Sequence, residues 1–519
     1  MARINTNVPS IIAQANLARS GQELGIRLER LSTGLRINRG KDDPAGLIVT
    51  ERIATDIAGI EQGIKNSERA SSVIATTEGA LTEISDLLNT IKGLTVEAAN
   101  SGAISDEEIE ANQLQINSAI QSITRISNTA SFGGLKLLDG SLDYITSGLN
   151  SSEIKTARVH AASFVGTNAL QVEVDVLASA QRGSLYLNGD MPGALTDGVL
   201  ASATTIRIAG TSGVSELSFA SGTSLGSVVN GVNDRSAITG IEALLINGDP
   251  TSGVIFQTVA YGSDEFVSID RIGGDTAATW FDTFKFVDGL PLADITGGFP
   301  WAGIGTTLTS TKRDTGVDVQ ALINGSLANG NGLEVSISSP TLSVELLLDE
   351  GFATDPTITP SVFDITGGGA LFQLGQDINA LQQTNIGITS TAASFLGGSL
   401  VNGAVQYLSS LQDGQANSLR SSAARKDFTG ASEILDKSID EVSVLRGRLG
   451  AFERNVLETN IRSLQTQFEN LTASKSVIED ADFAIETSAL TRAQILQSSG
   501  TTVLSLANQQ AQNVLQLLG

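Results

Sequence analysis

Apolar residues recur in steps of three and four near both ends of the chain, and no other feature constrains the fold as strongly. Such steps bring successive side chains to one face of an α-helix, and their repetition over heptads is typical of a coiled coil. In the N-terminal region the repeat is formed by Leu17, Gly21, Leu24, Leu28, Leu31 and Leu35. The sequence therefore predicts a long amphipathic helix close to the start of the chain.

Two further helices are predicted before residue 140. The apolar stripe of the first is formed by Ala70, Val73, Thr77, Ala80, Ile84, Leu87, Ile91 and Leu94. The second is shorter, and its stripe is formed by Ile109, Asn112, Ile116, Ala119, Ile123 and Ile126. Both runs keep the spacing of three or four residues, so each helix is expected to bury one face.

Local signals predict where two of these helices begin. Asp43 stands directly before Pro44, which suits a helix N-cap followed by Pro at the first helical position. Because adjacent side chains point apart, this interpretation of Asp42 and Asp43 is preferred to a pair of catalytic carboxylates. Ser105, which is followed by three acidic residues, predicts a cap for the shorter helix.

Helical periodicity returns at about residue 431 and continues towards the end of the chain. Its first stretch is formed by Val442, Leu445, Leu449, Phe452 and Val456. After a shift in register, a second stretch is formed by Ile461, Leu464, Phe468, Leu471, Lys475 and Ile478. The last stretch is formed by Leu496, Gly500, Val503, Ala507, Gln510, Val514 and Leu517.

Residues 493–519 contain no charged side chain, although the chain as a whole has 17% charged residues and a net charge of −24. A helix that is uncharged on every face is expected to be surrounded by protein. Soluble coiled coils carry Glu and Lys at the positions that flank the seam, and this segment has neither. A simple intramolecular coiled coil between the chain ends is the alternative, but the neutral faces favour a polymer in which neighbouring copies cover them.

Residues 141 to about 420 follow a different pattern. Stretches such as LQVEVDVLA, TTIRIAGTSG and EFVSIDRIGGD alternate between apolar and polar residues, which is typical of β-strands. The segment 141–419 holds 27 acidic and 9 basic residues, a net charge of −18. This balance excludes a nucleic-acid partner and is expected to keep an exposed domain soluble.

The residue inventory excludes several classes of functional site. The chain has no Cys, so disulfides, zinc–thiolate sites and cysteine nucleophiles are excluded. Its single His, His160, argues against a His-rich metal site and is expected to be an ordinary surface or strand residue. We expect no cofactor, no metal and no enzymatic activity. The N-terminus lacks the apolar stretch of a secretory signal, and no run of about 18 apolar residues predicts a membrane span.

These patterns together predict an α+β multidomain protein in which both chain ends form a helical coiled-coil stalk and β-rich outer domains are inserted between them. We expect an N-terminal helical region at 1–140, a β-rich surface insert of two subdomains at 141–420, and a C-terminal helical region at 421–519. The polymer or coiled-coil interface is expected to contain Leu17, Leu24, Leu28, Leu31, Leu35, Ile84, Leu87, Ile91, Leu94, Leu464, Phe468, Leu471, Leu496, Val503, Ala507, Val514 and Leu517.

Two long blocks of sequence resemble the terminal signatures of bacterial flagellins. The first begins with INTNVPSIIAQANLARSGQELGIRLERLSTGLRINRGKDDPAGLIVTERI, and the second runs from VLRGRLGAFERN to the end of the chain. The blocks extend over about 1–140 and 431–519. The resemblance implies a structural subunit that polymerises into the flagellar filament used for swimming, with its terminal helices in the filament core. It also implies, for 219–241, a strand–helix–strand module whose helix buries Leu225, Val228, Val229 and Val232.

The resemblance further implies a set of partners and a location. The partners are many copies of the same chain, the flagellar cap and hook-associated junction proteins, and a chaperone that covers the C-terminal segment before export. The location is the extracellular flagellum, reached through the flagellar export apparatus without a cleaved signal and without membrane insertion. Two alternatives remain open: a flagellin-like junction protein between hook and filament, and a flagellin whose insert acts as an adhesin.

Overall fold

The structure is a computed structural model that describes residues 6–100, 102–162, 164, 169–189, 195–196, 198–274, 281–287, 299, 301–339, 341–401 and 403–516. Side chains are described throughout these ranges except at 195, 196, 274, 302 and 511–516.

Long helices form both terminal regions, as the sequence predicts, and shorter helices lie among the strands. The helices are α1 (Val8–Thr33), α2 (Pro44–Ala99), α3 (Asp106–Thr129), α4 (Leu225–Asn233), α5 (Ser236–Thr239), α6 (Glu350–Thr354), α7 (Leu419–Arg425), α8 (Thr429–Phe452), α9 (Glu458–Glu479) and α10 (Phe483–Gln516). A π-helical turn, Glu453–Leu457, joins α8 to α9. Because such a turn inserts one residue into the helical repeat, it accounts for the register shift predicted between Val456 and Ile461.

The strands are short, and all of those described lie between α3 and α7. The first are β1 (Ser131–Phe132), β2 (Leu135–Lys136), β3 (Tyr144–Ser147), β4 (Ile154–Ala162), β5 (Leu170–Ala178), β6 (Ser184–Leu187), β7 (Leu195–Thr196), β8 (Val199–Leu200), β9 (Thr204–Gly210), β10 (Gly213–Phe219), β11 (Ile241–Leu245), β12 (Val254–Thr258) and β13 (Phe266–Gly274). The others are β14 (Thr283–Phe286), β15 (Leu308–Ser310), β16 (Arg313–Thr315), β17 (Gln320–Ile323), β18 (Ser326–Leu327), β19 (Asn329–Asn331), β20 (Glu334–Ser338), β21 (Leu342–Leu348), β22 (Ser361–Gly368), β23 (Ala370–Gln373), β24 (Gln383–Ile386), β25 (Ser399–Val401) and β26 (Ala404–Gln406).

The chain divides into two compact units. Unit 1 consists of Met1–Ser71, Phe372–Gln383 and Phe452–Gly519, and unit 2 consists of Ser72–Leu371 and Thr384–Ala451. Unit 1 therefore contains α1, the first half of α2, α9, α10 and the turn between β23 and β24. The α+β architecture predicted from the sequence, with helical chain ends and a β-rich central region, is confirmed.

Most strands of unit 2 form two β bodies, each made of two antiparallel sheets. In the first β body the strand orders are β18-β17-β5-β22-β3 and β19-β20-β21-β4, and one core that includes Val174, Val335 and Phe363 fills it. In the second β body the orders are β10-β9-β13-β16 and β11-β12-β6-β14-β15, with a core that includes Ile206 and Phe256. The strands of the second β body lie in the sequence between β5 and β17, so the second body is inserted into the first.

The buried side chains of α4 are those that the sequence predicts. Its inner face consists of Leu225, Val228, Val229 and Val232, which belong to the core of the second β body. Ser224 caps the helix by accepting a hydrogen bond from the backbone N–H of Ser227 at 3.3 Å.

The helical part of unit 2 buries a stripe that differs in detail from the predicted one. In α2 the stripe consists of Val73, Ile74, Thr77, Leu81, Ile84, Leu88, Ile91, Thr95 and Ala98. Leu87 and Leu94 are only half-buried, because Leu81 and Leu88 lie closer to the centre of the contact face. The helix α8 lies alongside, as the ion pair between Lys92 and Asp436 indicates.

Both predicted helix starts are confirmed. The carboxylate of Asp43 accepts the backbone N–H of Gly46 at 2.9 Å, and that of Asp42 accepts the N–H of Arg39 at 2.9 Å, so both acids hold the loop before α2. Ser105 and Glu108 form a reciprocal capping box at the start of α3, with N···O distances of 3.3 and 2.8 Å.

His160 lies on a strand, as expected, and only 12% of its side-chain surface is exposed. It belongs to β4, and its Nε2 lies 3.6 Å from a carboxylate oxygen of Glu345 on β21. Burial is the main reason why the pKa of His160 lies below its ordinary value, so the ring is neutral at neutral pH. The interaction with the His160 ring is the main reason why the pKa of Glu345 falls to about 2, and the charges of Lys437 and Arg158 lower it further.

Substitution of Ser105 tests whether the capping box of α3 stabilises the protein. Replacing Ser105 by Ala removes one acceptor and is expected to destabilise unit 2 by about 1 kcal/mol. The matched control is Ser118→Ala, since Ser118 is exposed inside the same helix and bonds only to the carbonyl of Leu114. Urea unfolding followed by far-ultraviolet circular dichroism is expected to show a lower midpoint for S105A alone. Equal midpoints for the two variants would contradict a stabilising cap.

Candidate assembly surface on the terminal helices

The two ends of the chain pair as antiparallel helices in unit 1. Near the start of α1, the Asn7 side-chain amide donates to the carbonyl of Ala507 at 3.0 Å. One turn later, the Ser10 hydroxyl lies 2.8 Å from the amide oxygen of Asn508. Asn7 also caps α1 by accepting the N–H of Ser10 at 3.2 Å. One residue thus both starts the first helix and fixes its position against the last.

Small residues line the contact between α1 and α10. Ala13, Ala493 and Ala507 are buried there, and Gly500 lies against Leu17. A Cβ atom placed on Gly500 would lie 3.2 Å from Cδ1 of Leu17, so the absence of a side chain permits this close approach. The pair therefore packs closely while burying few large apolar side chains.

A buried carboxylate joins the other end of the pair. The side chain of Glu486 is only 6% exposed, and its oxygens accept hydrogen bonds from Arg27 at 2.9 Å and from Arg30 at 3.1 Å. Burial alone would raise the pKa of Glu486, but the hydrogen bonds and charges of the two arginines outweigh it and hold that pKa below its ordinary value. The carboxylate is therefore ionised at neutral pH and links the first helix to the last.

A tight backbone connection fixes the end of α1. Gly34 adopts a left-handed conformation with φ of 76° and ends the helix. Its carbonyl then accepts the N–H of Ala481 at 2.9 Å, and the N–H of Arg36 donates to the carbonyl of Glu479 at 2.6 Å. These bonds hold the loop after α1 against the corner between α9 and α10.

The structure buries some of the predicted interface residues within the chain and leaves others exposed. Leu464 and Ala507 are buried, whereas Leu17, Leu24, Leu31, Leu35, Phe468 and Leu471 are half-buried. Leu28, Leu496 and Val503 are exposed, with 51%, 44% and 54% of their surface accessible. In unit 2, Ile84 and Ile91 are buried and Leu87 and Leu94 half-buried. The side chain of Val514 and the whole of Leu517 lie outside the described residues.

The register of the C-terminal seam therefore differs from the predicted one. The face of α10 towards α1 contains Ala493, Gly500, Leu504 and Ala507, of which the sequence analysis included only Gly500 and Ala507. Leu496 and Val503 are exposed, so their place in an interface stays a prediction about contacts with another molecule.

Further exposed apolar residues of unit 1 were missed by the sequence analysis. They include Ile11, Ile12 and Ile26 on α1, and Phe483, Ile485, Ile495 and Leu506 on α10. Ile495 and Leu506 lie directly beside the seam positions Leu496 and Ala507, so a second set of apolar residues on the same helix was the available signal. Exposed apolar residues at this density are typical of a surface that another protein covers.

Charge is distributed unevenly between the two units. By sequence, unit 1 has 14 basic and 16 acidic side chains, so its net charge is only −2 of the chain's −24. From Ala493 to the end of α10 no side chain is charged. A nearly neutral surface with many exposed apolar side chains can pack against copies of itself without large electrostatic repulsion.

In the described part of the chain, no helix is both long and apolar enough to cross a membrane. Exposed apolar residues on α1 and α10 are interspersed with Ser, Thr, Asn and Gln.

Comparison with known proteins identifies the family. Residues 4–143 match the bacterial flagellin N-terminal helical region, and residues 432–518 match the bacterial flagellin C-terminal helical region. The chain is 31% identical to a flagellin of Salmonella rubislaw over 529 aligned positions, which cover 99% of each chain. It is 30% identical to a flagellin of Salmonella typhimurium strain LT2, again over 99% of each chain.

The overlap with solved structures is low. A flagellar hook-associated protein-3 from Legionella pneumophila has a TM-score of 0.31 at 11% identity, covering 82% of this chain and 97% of the other. Such a score carries no functional information, and the assignment depends on the two terminal matches and the full-length relatives. The chain belongs to the bacterial flagellin family.

Proposed function

We propose that this flagellin is the structural subunit of a bacterial flagellar filament and that it polymerises through the terminal helix pair of unit 1. The observation that carries the proposal is the surface of α1 and α10, which is nearly neutral and exposes large apolar residues on the faces that the pair does not bury. Apolar surface of this kind is stabilised when a neighbour removes it from water, at roughly 25 cal/mol per Å².

Assembly also accounts for the narrow seam between the two helices. Most helix stability in proteins comes from packing, and a pair joined by alanines and a glycine buries little apolar area by itself. Neighbouring copies would cover Leu28, Leu496 and Val503 and so add the missing burial. The polymer would then stabilise the fold of its own terminal helices.

Family membership supports the wider setting of this proposal. The subunit would act outside the cell, after passing through the flagellar export apparatus without a cleaved signal, and would meet the flagellar cap, hook-associated junction proteins and a C-terminal export chaperone. The flagellin family is structural, and we assign the chain no catalytic role, cofactor or metal. It is also proposed to bind no nucleic acid and to insert into no membrane.

The alternatives are less well supported. A junction protein between hook and filament would share the terminal helices, but the full-length relatives at 99% coverage are flagellins. An adhesin function of the insert would need a binding site, and the two β bodies present mainly an acidic surface.

One charged substitution tests whether the exposed surface of α10 becomes buried in the filament. Val503→Asp leaves the free chain unaffected because Val503 is exposed, but in a filament it would bury an unpaired carboxylate, which costs several kcal/mol. We expect the critical concentration for growth on filament seeds to rise more than about a hundredfold. The critical concentration is measured by sedimenting the polymer, and electron microscopy shows whether the sediment consists of filaments.

A matched control separates this effect from a general loss of solubility or folding. Val214→Asp makes the same change at a valine of similar exposure, 57%, on β10 of the second β body. It is expected to polymerise like the unmodified chain. Normal growth of V503D filaments would exclude α10 as an interface, and failure of the unmodified chain to grow on seeds would contradict the filament function itself.

The Glu486 carboxylate predicts a pH dependence. Because its pKa is lowered in the folded state, its stabilising effect is complete above the unfolded pKa of about 4.3 and is lost as the pH falls through the lower folded value. Glu486→Gln is expected to weaken filaments at neutral pH and to make their acid dissociation less steep. The fraction of protein that sediments as polymer is measured from neutral to strongly acidic pH. It reports both the stability of the filaments at neutral pH and the steepness of their acid dissociation.

Glu23→Gln provides the control for this experiment, since Glu23 is exposed on the same helix pair. It is expected to leave both the neutral stability and the acid profile unchanged. If E486Q and the unmodified protein dissociate along the same curve, the carboxylate does not contribute to the stability of the polymer.

A further inference from the structure

The turn between β23 and β24 in unit 1 holds two apolar side chains away from the protein. Ile378 is 90% exposed and Leu381 is 87% exposed, the highest values among the large apolar side chains described. Isolated exposed leucines are common on protein surfaces, but a pair this close in sequence and this accessible is unusual. We call Ile378 and Leu381 the apolar tip.

Hydrogen bonds inside the turn fix its shape. Gln382 is the central residue: its side-chain oxygen accepts the N–H of Asp377 at 2.6 Å, and its own N–H donates to the side chain of Asn379 at 3.0 Å. Gln373 adds a bond from its amide to the carbonyl of Asp377 at 2.8 Å. The apolar tip is therefore presented by an ordered turn, whose polar groups bond to one another.

Two helices hold the base of the turn. Asn66 of α2 donates to the carbonyl of Gln373 at 3.1 Å, and Asn460 of α9 donates to the carbonyl of Leu374 at 3.0 Å. Glycines on α2 allow the close approach, since a Cβ on Gly59 would lie 2.9 Å from Cβ of Gln376 and a Cβ on Gly63 2.9 Å from the carbonyl oxygen of Leu374. The tip is thus fixed to the helical scaffold on which the proposed assembly surface lies.

Folding of the single chain does not bury the apolar tip. The turn has one charged residue, Asp377, and its carboxylate accepts from the side chain of Gln382 at 3.2 Å, so little electrostatic repulsion opposes contact with an acidic neighbour. A rigid, nearly neutral projection with two large apolar ends has the features of an interface anchor.

We propose that the apolar tip docks into a second copy of this chain, as a contact between subunits of the polymer. The inference rests on the proposed function. The small surface that the tip can bury favours a second copy of the chain as its partner. Two side chains supply only a small part of the roughly 1,200–2,000 Å² that a stable complex of two proteins buries. Such a contact is too small to hold a separate partner alone, but it adds to the others that each subunit makes in a polymer.

Polymer growth tests the energetic role of the tip. The double variant Ile378→Ser, Leu381→Ser is expected to fold like the unmodified chain, because neither side chain is buried. Its critical concentration on filament seeds is expected to rise at least about tenfold, since two apolar side chains lose their burial. The control is Leu327→Ser, a leucine of 68% exposure on β18 of the first β body, which is expected to leave growth unchanged.

Protection of a thiol tests the contact directly. The chain has no Cys, so Leu381→Cys and, in a second protein, Leu327→Cys each introduce one reactive group. Both thiols are expected to react quickly with a maleimide in the free chain. In filaments the thiol at 381 is expected to react at least about tenfold more slowly, whereas the thiol at 327 stays reactive.

The outcomes separate the inference from the function on which it rests. Filaments that form normally and leave position 381 reactive would overturn the docking of the tip while the filament function stands. Unmodified protein that forms no filaments on seeds would overturn the filament function first. Slow labelling at 381 together with impaired growth of the double variant would establish the tip as a subunit contact.

Discussion

The antiparallel pairing of α1 with α10 is the constraint on which the rest of the structure depends. It joins residues 500 positions apart, as the hydrogen bond from Asn7 to the carbonyl of Ala507 shows. The entropic cost of closing such a loop grows only with the logarithm of its length, by about 0.6 kcal/mol for each doubling. Large insertions between the paired ends are therefore inexpensive. The insertion of the second β body into the first is consistent with this low cost of long insertions.

Under the proposed function, the composition of the pair divides the contacts made within the chain from those left for other copies. Ala13, Ala493 and Ala507 are buried in the intramolecular contact, and Gly500 lies beside the half-buried Leu17, so small side chains allow the helices to approach. Larger residues such as Val503 stay exposed. A wider apolar seam would stabilise the single chain more, but it would leave less apolar surface for assembly. The terminal helices thus fold in a way that makes association favourable.

Periodicity predicted the helices of this chain well, and the caps predicted two of their starts. Even the register shift near residue 456 has a structural cause, the π-helical turn. Periodicity could not identify the contact face of α10, since an uncharged helix with apolar residues on two faces fits two seams equally well. The partner helix decides between Val503 and Leu504, and the sequence of one helix does not contain that information.

Long-range polar contacts were the other feature that sequence reasoning missed. His160 gains its main partner, Glu345, from a strand 185 positions away, and no local pattern connects the two. Arg158 likewise pairs with Glu441 of α8 at 2.6 Å. The local sequence of β4 could not indicate that a helix covers the polar face of this strand. Such contacts follow from the topology of the sheet and from how α8 packs against it.

The distribution of charge reconciles strong acidity with self-association. Unit 2 has 18 basic and 40 acidic side chains, a net charge of −22, whereas unit 1 has a net charge of −2. At physiological ionic strength, charges separated by more than about 8 Å of solvent are largely screened from one another. The acidic unit 2 can therefore be brought near its copies provided that solvent separates them. Surfaces in direct contact have no such protection and must be close to neutral, and unit 1 meets that requirement.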